Sequence, residues 1–495
     1  MGILSQLIFI PLVGMIVVMF LPKQNKWAVR WTTTFFAAIP CVQSLWLLVD
    51  YYYNHAGSHL MAYVEGPFDW VPALSVQYYL GADGISVPLL ALTGLLSLIS
   101  VVASFNIENR VKEYFAFFLL LEAGMMGVFV ALDFFLFYVF WEIMLVPMYF
   151  LIGIWGGPRK EYAAIKFFLY TLFGSIFMLV SILILYFNSE PHTLNILTHI
   201  QQGSMLPYTL QMICFIFFFI AFAIKVPVWP FHTWLPDAHV EAPTAVSVIL
   251  AAVLLKMGTY AMLRISWPMF PSALHDSAFY IALLGLIGII YGALVSMAQK
   301  DLKKLVAYSS VSHMGFCMVA LAAYNSEQAI AGCMYQMISH GLLTGALFLL
   351  VGVIYDRAHT REIAAFGGLG TKIPVYTAIM VFFAMGSLGL PGMSGFISEF
   401  MIFVGSFGVL EQKWIVGGAV LGVLLGAAYL LRMVQRVFLG PFDESRWGFL
   451  TEINLREILT VAPLMALTLW IGVYPKPFGL LMTQTLQNLI SLMSR

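Results

Sequence analysis

Apolar runs of about twenty residues recur along the whole chain, and each is long enough to cross the ~30 Å hydrocarbon layer of a bilayer as a helix. About fourteen can be counted, beginning near Ile3, Ala28, Gly84, Lys112, Asp133, Tyr162, Leu210, Pro243, Asp276, Leu302, Glu327, Pro374, Lys413 and Arg456. Only 10% of residues are charged, against about 25% in soluble domains, while 61% are hydrophobic. The chain is therefore expected to be an all-α polytopic membrane protein. Its net charge of zero carries no basic signature for nucleic acid. Cys41, Cys214, Cys317 and Cys333 are scattered without a CxxC spacing, which predicts neither a metal site nor a disulfide framework. The run from Ile3 to Leu21 lacks a basic flank before it and a small-residue cleavage site after it, so it is expected to be the first span. There is no GxGxxG, Walker A or HExxH motif; were the chain part of a redox enzyme, the cofactors would lie in other proteins.

The loops carry a sidedness. Lys23, Lys26 and Arg30 follow the first span, Arg110 and Lys112 the third, and Arg159 and Lys160 the fifth. Lys300, Lys303 and Lys304 follow the ninth, Arg357, Arg361 and Lys372 the eleventh, and Arg432, Arg436 and Arg446 the thirteenth. The two long loops, Tyr51–Ala82 and Asn188–Thr209, have no Lys or Arg. Basic loops after odd-numbered spans place both termini outside. The acidic loop Asp237–Glu241 is the exception.

Polar residues within spans are costly if they face lipid, about 2.5–3.5 kcal/mol for a centred charge. Lys225 is followed at once by Pro227 and Pro230, which predicts a broken helix with the carbonyls of Ala223 and Val226 left unpaired. Broken backbone at that depth is tolerated only inside protein or beside a wet cavity. The plain alternative is a helix-end lysine that reaches the surface. Glu142 precedes Pro147, which should loosen the ladder at Ile143. Glu142 and Lys225 are natural partners, and a pair whose attraction changes with separation switches its own proton affinity. Lys256 has Tyr260 and Arg264 on the same helix face and is expected to relay a proton or to be pinned to backbone carbonyls. His313 follows Ser309 on one face, and His340 lies between Gln336 and Thr344; two histidines on neighbouring spans form a relay candidate.

A second break is predicted by Gly389, Pro391, Gly392 and Gly395, ahead of Glu399. Paired breaks in the seventh and twelfth spans match two inverted five-helix repeats. The expected division is residues 1–111 for spans one to three, 112–266 and 267–440 for the repeats, and 441–495 for the last span and a short tail. Glu122 is either a lateral link or an interhelical hydrogen-bonding group, and Lys166 lies near the basic end of its helix. His232, Asp237, His239 and Glu241 have metal-ligand chemistry, but Pro236 and Pro243 predict a rigid turn with these side chains at the membrane surface and no zinc.

The segments FYVFWEIMLVPMYFLIGIWGGPRKEYAAIKFFLYT, KVPVWPFHTWLPDAHVEAPTAVSVILAAVLLKMGTY, DLKKLVAYSSVSHMG and SLGLPGMSGFISEF resemble the antiporter-like subunits of respiratory complex I, from about the third span to the thirteenth. Within that family the M type is most similar: Glu399 stands where L- and N-type subunits usually carry lysine, and the chain ends about twenty residues after its last span. The M-like chain of photosynthetic complex I shares these features. The resemblance implies a proton-translocating subunit of NADH:quinone oxidoreductase, multi-pass in a bacterial plasma membrane or a photosynthetic one. Glu142 and Lys225 would be the charge pair that senses the neighbouring subunit, Lys256 the central relay, His313 and His340 the path across, and Glu399 the outward carrier. Glu122, Lys166 and Tyr260 would be accessory, and Pro227, Pro230 and Pro391 the helix breakers. FMN, iron–sulfur clusters and quinone would belong to partner subunits, with no redox centre, cofactor or metal in this chain. The partners would be L- and N-type and small membrane subunits, and lipid. Two other readings stay open: an Mrp-type sodium/proton antiporter subunit, against which Glu399 counts, and a membrane subunit of a hydrogenase or formate-hydrogenlyase complex.

Overall fold

The computed structural model describes residues 2–57 and 61–494. Among them, 13 helices are long and apolar enough to cross a membrane, and each expected run but one falls on such a helix. The exception is the run at Pro374, which is divided into Pro374–Ser387 and Ser394–Val409. Gly389 and Gly392 in the intervening turn adopt φ of +82° and +90°, a region that glycine enters without strain.

The run that carries Lys225 breaks as expected, into Tyr208–Lys225 and Trp234–Glu241. The unpaired Ala223 carbonyl does not occur. It accepts the Val228 N–H at 2.7 Å, and the neighbouring Ile224 carbonyl accepts the Trp234 indole at 2.8 Å. The turn folds back under the helix end, so the donors that proline removes are replaced from downstream. A third interruption falls at Met144, between Phe134–Ile143 and Leu145–Trp155, where Pro147 loosens the ladder.

The helices form an inner and an outer set. Ser86–Asn106, Val111–Val130, Thr244–Met269, Leu302–Ala322 and Glu327–Ala358 are 78–100% enclosed by protein. Six others, including Lys26–His55 and Lys413–Phe438, are only 33–39% enclosed and present Trp27, Trp31, Phe35 and Leu424 outwards. Thr244–Met269 is enclosed over nearly its whole length and contains two π-helical stretches, Leu250–Leu254 and Met262–Ser266, on either side of Lys256. Leu302–Ala322 lies tightly on Pro271–Met297, since a Cβ on Gly315 would stand 2.7 Å from the Gly285 carbonyl oxygen.

Two elements go beyond the expected spans. The long loop after the second span folds into an antiparallel hairpin, β1 (Tyr63–Val71) with β2 (Val76–Ala82). The tail is an amphipathic helix, Lys476–Met493, that buries Leu481, Met482, Leu486 and Leu489. It is fastened to two inner helices at the end of the bundle away from the basic loops: Thr485 accepts the Gly84 N–H at 3.1 Å, and the Pro475 carbonyl accepts the Tyr335 hydroxyl at 2.6 Å. The opposite end of the bundle gathers the basic loops. There Arg357 grips Glu457 with two hydrogen bonds of 3.0 and 2.7 Å, and Arg361 pairs with Asp301 at 3.2 Å.

Candidate functional site

Lys256 projects from the short α-helical piece between the two π stretches. Its Nζ reaches the Ala251 carbonyl at 2.5 Å, an acceptor that the widened π turn exposes. The same Nζ lies 2.5 Å from His340 Nδ1. The relay contact and the backbone pin, posed by the sequence as alternatives, are thus both present. The His340 ring faces His313 with centroids 5.6 Å apart, and His313 Nδ1 lies 3.6 Å from the Glu399 carboxylate. His313 Nε2 meets the Ser387 hydroxyl at 3.2 Å, and Ser398 donates to Gln336 Oε1 at 2.5 Å beside it. His313, Gln336, His340, Thr344, Ser387 and Glu399 enclose a cavity of about 10 Å³, close to the room that one water's centre needs. Four residues from four helices therefore stand in one buried file, Lys256–His340–His313–Glu399, in which the two histidines meet ring to ring and no hydrogen bond joins them among the described residues. Ser309 is not part of it, because its hydroxyl turns back onto the Val306 carbonyl at 2.7 Å.

Glu142 and Lys225 stand near each other without touching. Among the described residues neither Lys225 Nζ nor Glu142 Oε1 has a hydrogen-bond partner. The ammonium instead lies over the Trp141 ring at 5.1 Å and the Phe167 ring at 6.0 Å, and it is held at the C-terminus of its helix, where the dipole favours a cation. Lys225 is 1% exposed, so it is not a snorkelling lysine.

The remaining predicted residues fall outside this line. Lys166 is paired with Asp237 at 2.7 Å. Glu122 is fully buried between helices, and its carboxylate oxygens have no hydrogen-bond partner among the described residues. The Tyr260 hydroxyl bonds the Phe129 carbonyl at 2.9 Å and meets the Ser86 hydroxyl at 3.0 Å.

The expectation for the loop at 232–241 is corrected. His232 and His239 are not at the membrane surface: they are 2% and 0% exposed. The segment is a short helix folded inward. One face turns Asp237 and Glu241 to Lys166, Arg159 and the Arg159 N–H, and the other buries His239 flat on Phe348 with centroids 4.6 Å apart. His232 meets the edge of Tyr291 at 5.0 Å. Among the described residues, no three His, Cys, Asp or Glu side chains gather as a metal site.

His239 lies within charge-interaction range of both Lys256 and Lys303. Lys303 is 4% exposed, donates to the Ala242 carbonyl at 2.5 Å, and borders a cavity of about 240 Å³ at the basic end of the bundle. Glu241, Asp356, Arg361, Arg456 and Glu457 line the same cavity.

A buried line of lysine, histidine and carboxylate side chains, reached through broken helices, defines an antiporter-like membrane subunit. Residues 131–426 match the transmembrane family of NADH:quinone oxidoreductases and Mrp antiporters. NADH-quinone oxidoreductase subunit M of Rhodobacter capsulatus is 44% identical over 96% of this chain and 93% of that protein. NADH-ubiquinone oxidoreductase chain 4 of Marchantia polymorpha is 40% identical over 98% and 97%. A chain of respiratory complex I from Thermus thermophilus superimposes with a TM-score of 0.87 at 28% identity, covering 99% of this chain and all of that one. A chain of the Mrp complex from Dietzia sp. DQ12-45-1b shares the fold, with a TM-score of 0.84 at 20% identity over the full length of both. The chain belongs to this NADH:quinone oxidoreductase/Mrp antiporter family, in its subunit M and chain 4 branch.

Proposed function

We propose that this chain is a proton-translocating membrane subunit of an NADH:quinone oxidoreductase, in which Lys256, His340, His313 and Glu399 pass protons across the membrane centre. The observation that carries the reading is the file of Lys256 Nζ, the His340 and His313 imidazoles and the Glu399 carboxylate, with a hydrogen bond at its first step, a ring contact at the second and 3.6 Å at the last. A lysine that donates to a neutral imidazole, and an imidazole facing a carboxylate, are each one proton transfer apart in state. Protons are taken up from the basic side through the cavity beside Lys303, and His239 lies within charge-interaction range of both Lys303 and Lys256. Glu142 and Lys225 set the timing: their side chains, which do not touch, lie close enough to interact and can be drawn together or apart by a neighbouring subunit. That neighbour is an L- or N-type or small membrane subunit. Electron transfer with FMN, iron–sulfur clusters and quinone belongs to other subunits, and the host is a bacterial plasma membrane.

The test uses the assembled complex in proteoliposomes. Lys256→Ala should leave NADH:ferricyanide activity intact while lowering NADH-driven proton uptake by about tenfold or more. Undiminished pumping would remove Lys256 from the path. A wild-type particle with no NADH activity that exchanges sodium for protons would favour the Mrp reading, and one with hydrogenase activity the hydrogenase reading.

A further inference from the structure

The large cavity at the basic end and the small one beside Glu399 are separate, and a pair of stacked rings abuts the walls of both. The helix Trp234–Glu241 brings Glu241 to the wall of the large cavity, about 240 Å³ in volume, and Glu327–Ala358 brings Leu349 and Gly352 to it. His239 and Phe348, beside those wall residues on the two helices, are 0% exposed and line neither cavity. Their rings lie flat on each other, 12° apart in plane with centroids at 4.6 Å. Phe348 shares a helix face with Thr344 and His340, which line the small cavity. His239 is within charge-interaction range of Lys303 at the large cavity, of Lys256 and of His340. Yet neither of its ring nitrogens has a hydrogen-bond partner among the described residues.

We propose that this stack is the gate of proton entry, with Phe348 as its positioning residue. Flat on the phenyl ring, the His239 imidazole is parked with no hydrogen bond to either lysine; turned off it, the imidazole links the large cavity to Lys256. A neutral imidazole carries one N–H and one bare nitrogen, so a turned ring accepts a proton on one side and releases one on the other. A buried polar nitrogen without a partner is costly, so the turned ring gains hydrogen bonds that the parked ring lacks, whereas the parked ring gains the stacking contact. Two arrangements with opposed advantages make a bistable element, which a change of charge on Lys256 or Lys303 can tip. The gate matters for coupling. An entry that stayed open would let a proton on Lys256 return to the basic side, and NADH would be oxidised without transport.

The inference rests on the proton-translocating reading, and the experiment separates the two. The complex is reconstituted in vesicles with an internal pH dye, and the protons taken up per NADH oxidised are measured at the start of turnover. Phe348→Leu keeps an apolar side chain and removes the flat ring, so protons per NADH should fall about twofold. Phe348→Tyr keeps the ring and should hold the wild-type ratio. His239→Leu removes the carrier, and NADH-driven proton uptake should fall about tenfold, with NADH:ferricyanide activity as the control for assembly. A wild-type ratio in Phe348→Leu, or an equal fall in Phe348→Tyr, would overturn the gate. If neither Phe348 variant assembles, undiminished proton uptake in His239→Leu overturns it alone. If wild type takes up no protons, or Lys256→Ala pumps in full, the failure is of the proton-translocating reading.

Discussion

At the scale of single residues, the feature that most changes the chemistry is Trp141. Its ring, not the neighbouring Glu142 carboxylate, holds the Lys225 ammonium. A cation over an indole is stabilised by roughly 1–2 kcal/mol when desolvated, a contribution that the ammonium would lose on closing onto the carboxylate. Trp141→Leu should therefore let Lys225 and Glu142 close into an ion pair and lower NADH-driven proton uptake about tenfold, read against NADH:ferricyanide activity. Glu142→Gln should cost at least as much. Pumping equal to wild type in both variants would leave the pair with no coupling role. The buried charges were legible in the sequence because a lysine or glutamate amid twenty apolar residues has few structural excuses. Ser387, Ser398 and His239 were not legible: serine is common in membrane helices, and whether a histidine beside prolines points in or out depends on the tertiary fold.

At the scale of elements, the breaks were visible and their geometry was not. Gly and Pro clusters marked the turn before Glu399, yet only the structure shows why glycine is needed there. Gly389 has φ of +82°, and a Cβ on it would stand 2.8 Å from Glu399 Oε2. Gly389→Ala should add about 1–2 kcal/mol of backbone strain and push the carboxylate from His313, so pumping should fall several-fold at normal NADH:ferricyanide activity. An unchanged pumping rate would mean that the turn can relax around the methyl. The two π stretches flanking Lys256 were beyond sequence reasoning, since nothing in an apolar run distinguishes a π turn from an α turn. The hairpin at 63–82 was missed because Pro67 and Pro72 interrupt its alternation, and the outer-face helix because hydropathy cannot tell a helix lying on a protein from a polar tail.

At the scale of the whole molecule, the enclosed helices hold the chemistry and the outer helices meet the surroundings. The basic end is pinned by Arg357, which ties Glu327–Ala358 to Leu455–Val473 through Glu457. Arg357→Leu strands that carboxylate in a partly buried place and should lower stability by about 1–3 kcal/mol, seen as earlier thermal dissociation of the chain from its complex. A melting curve like that of wild type would make the pair dispensable. The inner and outer sets could not be sorted from the sequence, because lipid-facing and core-facing apolar residues are chemically alike. The near-complete enclosure of Thr244–Met269 also has a consequence for how the chain is made. Arg264 finds Asp83, 181 residues earlier and already synthesised when the arginine emerges, whereas the partner of Lys256, His340, lies 84 residues downstream. At ~5–20 residues per second, that lysine waits about 4–17 s at the ribosome's pace before its imidazole exists. During that interval the lysine has only the Ala251 carbonyl of its own helix as a partner among the described contacts, so the insertion machinery or water has to supply the rest.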